Sequence, residues 1–190
     1  MILKKFFWFI LFLQLNLLAD ITSAESRALG LQSDGKIISA GLVAKNKITQ
    51  LAVVRYNSSG TIDTTFGSEG VASLTLGQQT EANAVAIQPD DAIVCAGFVI
   101  NEDTTRAIIV RYNSQGSLDT TFGMNGTGYT IESLQASQIA DLKMQEDGKI
   151  LVCGTQAIEG QLHLFVIRYT DVGLRDATFG DNGLVTTLIN

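Results

Sequence analysis

Arginine and aspartate recur in this chain at a fixed spacing, and they are its best candidates for binding chemistry. Three stretches carry them: RYNSSGTIDTTFGSEG at 55–70, RYNSQGSLDTTFGMNG at 111–126 and RYTDVGLRDATFGDNG at 168–183. The arginines could bind an anion. The loops rich in Asp, Asn and Gly could bind Ca²⁺, although their spacing matches no known calcium loop. We favour an ion pair within each copy, with the aspartate also hydrogen-bonding the backbone of its own loop.

Each copy also carries one tyrosine, one phenylalanine and a glycine directly after the phenylalanine, and a second glycine follows three residues later. An aromatic binding surface is one interpretation, but recurrence at the repeat spacing favours a core contact made once per copy. Glycine at such a place supplies the positive φ that a turn before a hairpin requires. The predicted structural repeat positions are Arg55, Tyr56, Asp63, Phe66, Gly67, Arg111, Tyr112, Asp119, Phe122, Gly123, Arg168, Tyr169, Asp176, Phe179 and Gly180.

Other reactive residues are few. The single histidine, His163, falls at the polar start of a predicted strand, where we expect it at the surface. Cys95 and Cys153 lie on equivalent strands, and we expect two buried free thiols, because stacked sheets about 10 Å apart exceed the ~7 Å Cα reach of a disulfide. The stretch GMNGTG at 123–128 lacks the glycine spacing and the following helix of a phosphate-binding loop. We therefore expect no catalytic residue, no metal site and no cofactor.

Four β-strands per copy are predicted to position these residues. In the second copy they span 83–87, 92–100, 106–112 and 127–131. The two middle strands are apolar on both faces and must be covered on both, which stacked sheets achieve. No stretch carries a helical period with caps, so we expect no helix longer than one turn. The predicted fold is all-β, with three consecutive four-stranded propeller-like blades in an open arc, because closed propellers have about 4–8 blades.

A second recurring signal strengthens this interpretation: SDGKIISAG from Ser33, PDDAIVCAG from Pro89 and EDGKILVCG from Glu146. Together with RYN-x-x-G-x-x-D-x-T-F-G-x-x-G, it resembles the delta-60 repeat, a propeller-type repeat of bacterial secreted and cell-surface proteins. The resemblance covers 27–190 and implies a blade-like fold and an extracytoplasmic setting, but no activity. The second copy departs from the pattern with Asp91 and Ala92 in place of Gly-Lys, and the third with Thr170 in place of Asn.

The first 24 residues are typical of a secretory signal peptide. Lys4 and Lys5 precede an apolar run at 6–18, and 22–24 read TSA, which permits cleavage after Ala24. A membrane anchor is the alternative, but the run is shorter than the roughly 20 residues needed to span a bilayer. We expect an exported protein, in the periplasm, at the cell surface or secreted. The domain would occupy 25–190, with repeats at about 27–80, 81–136 and 137–190.

The chain carries a net charge of −6 and no basic stripe, so we expect neither nucleic acid nor an anionic membrane as a partner. The expected function is a noncatalytic module that binds or scaffolds an unknown protein or glycan. Three inter-strand loops that vary between the copies, at 44–50, 101–105 and 156–162, would form its binding surface. One alternative is a hydrolase or lyase with its site at the propeller axis. Another is a remnant of a longer repeat array, since such arrays usually contain more copies.

The two ends of the array differ in sequence. In the first strand of the third repeat, Asp141 and Lys143 replace small packing residues, which is typical of a solvated cap. The first repeat keeps Leu29 and Leu31 on its outer face, without such a substitution. An exposed apolar sheet face is an association site, so a homodimer through the faces of repeat 1 is expected.

Overall fold

The structure of the protein is a computed structural model that describes residues 21–189. Its only helical element within that range is a short 3₁₀ turn at Met124–Gly126. Residues 21–189 therefore contain no helix that is long and apolar enough to cross a membrane. The twelve strands are β1 (Ile21–Leu31), β2 (Ile37–Lys45), β3 (Ile48–Tyr56), β4 (Val71–Leu74), β5 (Gln79–Ile87), β6 (Ile93–Asn101), β7 (Thr104–Tyr112), β8 (Tyr129–Gln135), β9 (Ser137–Met144), β10 (Ile150–Ile158), β11 (Gln161–Tyr169) and β12 (Leu184–Leu188).

The strands form three antiparallel sheets of four, each in sequence order, which we call blade 1 (β1–β4), blade 2 (β5–β8) and blade 3 (β9–β12). A single parallel bridge, from Thr49 to Gln79, links blades 1 and 2. The all-β fold and the open arc are therefore confirmed. The predicted cleavage point after Ala24 falls within β1, whose first seven residues are all exposed, and it stays a prediction.

Two apolar layers hold the three blades together. Blade 2 contributes to both, because its middle strands are apolar on both faces. Ile93 and Cys95 pack in the layer towards blade 1, whereas Val94 and Ala96 pack in the layer towards blade 3. Each layer stacks one sheet on the next, and this burial of apolar surface is the main favourable term for assembling the arc.

A β-bulge interrupts the first strand of every blade. The unpaired residues are Arg27 in β1, Asn83 in β5 and Ala140 in β9. The bulge brings the first strand so close to the second that a Cβ on Gly97 would overlap with the carbonyl oxygen of Glu81. Gly41 and Gly154 are equally constrained, so the glycine that ends the SDGKIISAG-type segment is required for space and not for its φ angle.

The predicted inter-strand loops at 44–50, 101–105 and 156–162 are shorter in the structure than those bounds. Strands β2 and β3, β6 and β7, and β10 and β11 continue into those segments and meet in two-residue turns. The turns are Asn46-Lys47, Glu102-Asp103 and Glu159-Gly160, and all six residues have positive φ. Such turns match the twist of a β-hairpin, whereas the sequence variation at these places had indicated irregular loops.

Replacing Gly97 with alanine should test the close approach at the bulge. We expect Gly97→Ala to lower the free energy of unfolding by roughly 1–3 kcal/mol, because backbone must move to admit the methyl group. The matched control is Gly30→Ala, where the nearest neighbours of the new Cβ are side-chain atoms, of Ile87 at 2.9 Å and of Ile38 at 3.7 Å. That control should stay within about 1 kcal/mol of the parent in urea unfolding. Equal effects of the two changes would contradict the steric explanation.

Candidate functional site

The recurring arginine and aspartate form an ion pair in every blade. Arg55 Nε lies 2.9 Å from Asp63 Oδ2, and the corresponding distance is 2.8 Å in blades 2 and 3. In blades 2 and 3 the pair is also an aligned hydrogen bond, donated by Arg111 and Arg168. The arginines stand at the ends of β3, β7 and β11, and both residues of the blade 1 pair are nearly fully buried. An ion pair as buried as that of blade 1 is unsuited to binding a solvent anion.

The other aspartate oxygen closes the loop in which it lies. In blade 2, Asp119 Oδ1 accepts hydrogen bonds from the backbone N–H of Thr121 at 2.9 Å and from its hydroxyl at 2.7 Å. Thr65 and Thr178 donate in the same way in the other blades. Each carboxylate is therefore held both by its arginine and by its own loop.

These hydrogen bonds lower the pKa of the aspartates. For Asp63 the main cause is the hydrogen bond from the Thr65 hydroxyl, and for Asp176 the one from Thr178. For Asp119 burial alone would raise the pKa, but the hydrogen bonds from Thr121 and the charge of Arg111 outweigh it. All three carboxylates are thus held in the ionised form.

A phenylalanine completes the cluster in each blade. The guanidinium carbon of Arg55 lies 4.6 Å from the centre of the Phe66 ring, and the corresponding distances in blades 2 and 3 are both 4.7 Å. Phe66 and Phe122 are completely buried, whereas Phe179 in blade 3 is only partly buried. A cation over an aromatic face contributes about 0.5–2 kcal/mol, depending on desolvation.

The cluster of one blade grips a turn of the next blade. We call the arginine, the phenylalanine and the glycine after it the socket, and the four residues that follow RY the turn. Gly67 N–H donates to the Gln115 carbonyl at 2.9 Å, and Arg55 Nη1 donates to the Ser114 carbonyl at 2.5 Å. Gly116 lies against the Phe66 ring, where a Cβ would come within 2.9 Å of it.

The same contact recurs between blades 2 and 3. Gly123 N–H donates to the Val172 carbonyl at 2.9 Å, and Arg111 Nη1 donates to the Asp171 carbonyl at 2.8 Å. Gly173 lies against the Phe122 ring. Because the same contact joins neighbouring blades at both junctions, the recurring residues serve blade assembly. The three copies of the motif do not meet in one common site, since each contact involves only two blades.

The second recurring glycine was assigned wrongly in the middle copy. The structural counterpart of Gly70 and Gly183 is Gly128 and not Gly126, because Gly128 supplies the carbonyl that accepts from Arg111 N–H. GMNGTG is two residues longer than its counterparts, which displaces the glycine, and the 3₁₀ turn Met124–Gly126 lies within it. A Cβ on Gly128 would lie 3.0 Å from Leu118, so the motif's last glycine has a packing role.

Comparison with known families agrees with this geometry. The family described as Domain of unknown function (DUF5122) beta-propeller matches three times, at 32–66, 88–122 and 145–179. The matches cover more than half of the chain. This chain belongs to that β-propeller family. Each match extends from the turn after the first strand of a blade to the phenylalanine of its socket, which agrees with the delta-60-type repeat. No curated protein matches the chain.

The two blade junctions of this propeller chain differ beside the sockets. Between blades 1 and 2, Leu74 and Tyr112 lie in an apolar cluster against which Leu118 packs. Between blades 2 and 3, the corresponding places hold Glu132, Tyr169 and Arg175. Tyr169 donates to Glu132 at 2.6 Å, and Arg175 Nε donates to it at 2.9 Å. Burial, followed by the charge of Glu132, raises the pKa of Tyr169, so its hydroxyl stays a donor.

A polar group at the inner edge of the propeller arc escaped the sequence analysis. Arg27 Nη1 donates to Glu81 at 2.5 Å and to Asn83 at 2.9 Å, and Arg27 Nη2 donates to Glu25 at 3.0 Å. Asn83 in turn donates to the carbonyl of Ile139. A signal was available, because Glu25 and Glu81 are 56 residues apart, as the repeat requires. The bulges from which Arg27 and Asn83 reach the next blade left no such signal.

The remaining candidates occupy separate places. Cys95 is buried and Cys153 is exposed, so the expectation of two buried free thiols was wrong for Cys153. Cys153 lies in blade 3, and within residues 21–189 no other sheet covers the outer face of that blade. His163 is partly buried and contacts the Gln161 carbonyl at 3.2 Å. Within the described range, no three or more His, Cys, Asp or Glu side chains are grouped to hold a metal ion.

Truncating a socket arginine should destabilise the fold. We expect Arg111→Ala to lower the free energy of unfolding by about 3 kcal/mol, because Asp119 loses its partner and the turn of blade 3 loses a donor. Arg106→Ala, at an exposed position of the same strand, β7, is the control and should change it by less than about 0.5 kcal/mol. Urea unfolding followed by tyrosine fluorescence measures both. An unchanged midpoint in Arg111→Ala would refute a structural role.

The lowered aspartate pKa values predict acid sensitivity. A carboxyl group whose pKa is lower in the folded state stabilises the fold above its ordinary value of 3.8 and loses that contribution as the pH falls below it. Urea unfolding between pH 7 and pH 2.5 should therefore show a steep loss of stability below pH 4. Asp119→Asn should reduce the steepness, whereas Asp103→Asn, in an exposed hairpin turn, should retain it. Parallel curves for all three proteins would contradict the assignment.

Proposed function

We propose that this propeller chain is a noncatalytic, exported module that binds a protein or glycan at the rim formed by the β2–β3, β6–β7 and β10–β11 hairpins. The observation that supports it best is a groove of about 300 Å³ beside the β6–β7 hairpin, between blade 2 and the segment that connects β4 to β5. The groove is lined by Leu76, Gly77, Val99, Asn101, Glu102, Thr104, Arg106 and Ile131.

The chemistry of the groove suits a ligand with both apolar and polar parts. Leu76, Val99 and Ile131 supply apolar surface, while Glu102 and Arg106 place one acid and one base at its margin. Binding sites commonly combine an apolar lining with a few polar groups that orient the ligand. A sugar ring, with an apolar face and hydroxyl edges, or a peptide side chain would satisfy both.

The hairpin tips would extend this surface along the rim. Their six residues are all exposed, and the sequence of the tip differs in each blade. Positive φ at both central residues holds each tip in one backbone conformation, so little ordering is required on binding. The rim therefore combines a rigid backbone with variable side chains, as expected of a recognition surface.

The recurring polar residues favour scaffolding over catalysis. In blades 1 and 2 the socket arginine holds the turn of the next blade, and the aspartate is paired with that arginine. The inner-edge group is the best place for the alternative, a hydrolase or lyase, because it contains two carboxylates beside an arginine. Its side chains, however, are bonded to one another: Glu81 accepts from both Arg27 and Gln79. Such mutual pairing is typical of a polar network that links two strands.

A glycan array tests the proposal with defined probes. The protein should bind a subset of the glycans, and the double variant Glu102→Ala/Arg106→Ala should lose at least tenfold in affinity for them. Glu146→Ala, an exposed acid in a turn outside the rim, is the control and should bind normally.

Protein partners require a second arm. A photo-crosslinking residue in place of Asp103 should capture a partner in living cells, whereas the same residue in place of Glu146 should not. Absence of glycan binding together with equal crosslinking from both positions would refute the rim as a binding surface. Cleavage of a bound glycan that disappears in Glu81→Gln but persists in the Glu102/Arg106 double variant would favour the enzyme.

A further inference from the structure

Each end of the arc presents one half of the contact that joins its blades. Blade 3 has a complete socket, formed by Arg168, Phe179 and Gly180. Within residues 21–189, neither Arg168 Nη1 nor the Gly180 N–H donates a hydrogen bond, although their counterparts in blades 1 and 2 all do. The Arg168 side chain is also 20% exposed, compared with 8% for Arg55 and 10% for Arg111.

Blade 1 presents the complementary half, the turn at 57–60. Its counterparts Gly116 and Gly173 are packed against a phenylalanine ring, but a Cβ on Gly60 would meet no described atom within 4 Å. Ser58 and Ser59 are exposed, and their carbonyls correspond to those that accept from a socket in the other two blades.

The sheet faces behind the two halves match in the same way. In blade 2, Tyr112 is buried and Leu118 is packed against blade 1, whereas their counterparts in blade 1 are half-buried Tyr56 and Ile62, which is 51% exposed. Leu29 and Leu31, the counterparts of Val85 and Ile87, are 70% and 68% exposed. The outer face of blade 3 carries exposed Cys153 and half-exposed Leu164, where blade 2 has buried Ala96 and Ala107.

We propose that two copies of this chain close head to tail into one six-bladed propeller, with the socket of blade 3 in each copy gripping the turn at 57–60 of the other. The two junctions would be equivalent, so a two-fold axis relates the copies. Closed propellers of about 4–8 blades are stable, and two arcs of three blades fall within that range. A head-to-tail contact forms a ring when its rotation closes, and equivalent junctions between all six blades would meet that condition.

Asp141 and Lys143 make the closing junction weaker than the internal ones. They occupy the places of Ala84 and Ala86, are 59% and 80% exposed, and lie 3.8 Å apart in a pair of their own. They allow the outer face of blade 3 to remain in water in the single chain. The closed dimer is therefore in concentration-dependent equilibrium with the open arc.

Analytical ultracentrifugation of the protein in the form that the cell produces tests this assembly. The mass should rise with concentration from one chain towards two and then stop. Gly60→Asn should weaken the association at least tenfold, because asparagine tolerates positive φ but its Cβ would collide with Phe179 of the other copy. Gly160→Asn is the matched control, since that glycine also has positive φ and open space around it but lies outside the proposed contact. It should associate like the parent.

Cys153 provides a readout that needs no variant. The thiol should react with N-ethylmaleimide in the dilute protein, and the rate of that reaction should fall at least tenfold as the dimer forms. The reason is that closure covers Cys153, as its counterpart Ala96 is covered in blade 2. Three results would each overturn the proposal. The first is a protein that stays a single chain up to several hundred micromolar, and the second is a mass that continues to rise beyond two chains. The third is a dimer in which Cys153 stays reactive and whose association is unchanged by Gly60→Asn. The last result would instead favour a dimer through the two blade 1 faces.

Discussion

The architecture depends on the hydrogen bonds and ring contact by which one blade holds the turn of the next. Stacked apolar sheets alone could slide or rotate on each other, because burial of apolar surface has little directionality. The socket removes that freedom at the junctions of blades 1 and 2 and of blades 2 and 3, since Arg55 and Arg111 each donate to a fixed backbone carbonyl. The ion pair with the aspartate matters because it holds the guanidinium in the orientation that reaches the next blade.

The inner edge adds a second, less regular restraint. Arg27 and Asn83 both extend from a bulge towards the neighbouring blade, but Ala140 at the corresponding place in blade 3 cannot do so. The Asp91 side chain makes a comparable link, because it accepts from the backbone and hydroxyl of Ser33 at 2.9 and 2.7 Å. Asp91 has a φ of 63° where the other copies have glycine. This departure from the repeat costs backbone strain, since a residue with a Cβ is less stable at positive φ, but it provides a hydrogen bond between blades.

Much of the fold could be predicted from the sequence, because the repeat supplies three observations of every strand and turn. The strands, the pairing of Arg111 with Asp119 and the positive φ of Gly67 all follow from residue type and spacing. Bulges could not be predicted, since they depend on how two strands fit and leave Arg27 or Asn83 without a distinctive neighbour. The hairpins at 46–47 and 102–103 were missed because Lys47 and Glu102 are residue types uncommon at positive φ. Contacts between blades, such as Tyr169 with Glu132, join positions that no single copy contains.

The difference between the two junctions has a consequence for folding. Chains built from near-identical neighbours risk misassembly, because a newly formed blade can pack on the wrong partner or exchange with another molecule. Here one junction is matched through Leu74, Tyr112 and Leu118, and the other through Glu132, Tyr169 and Arg175. A blade packed out of order would bury Glu132 or Arg175 against an apolar surface without its partner, at a cost of several kcal/mol. Glu132, Tyr169 and Arg175 thus determine which blade can pack next to which, and so fix the order of the blades. The socket, which both junctions share, fixes the spacing between neighbouring blades.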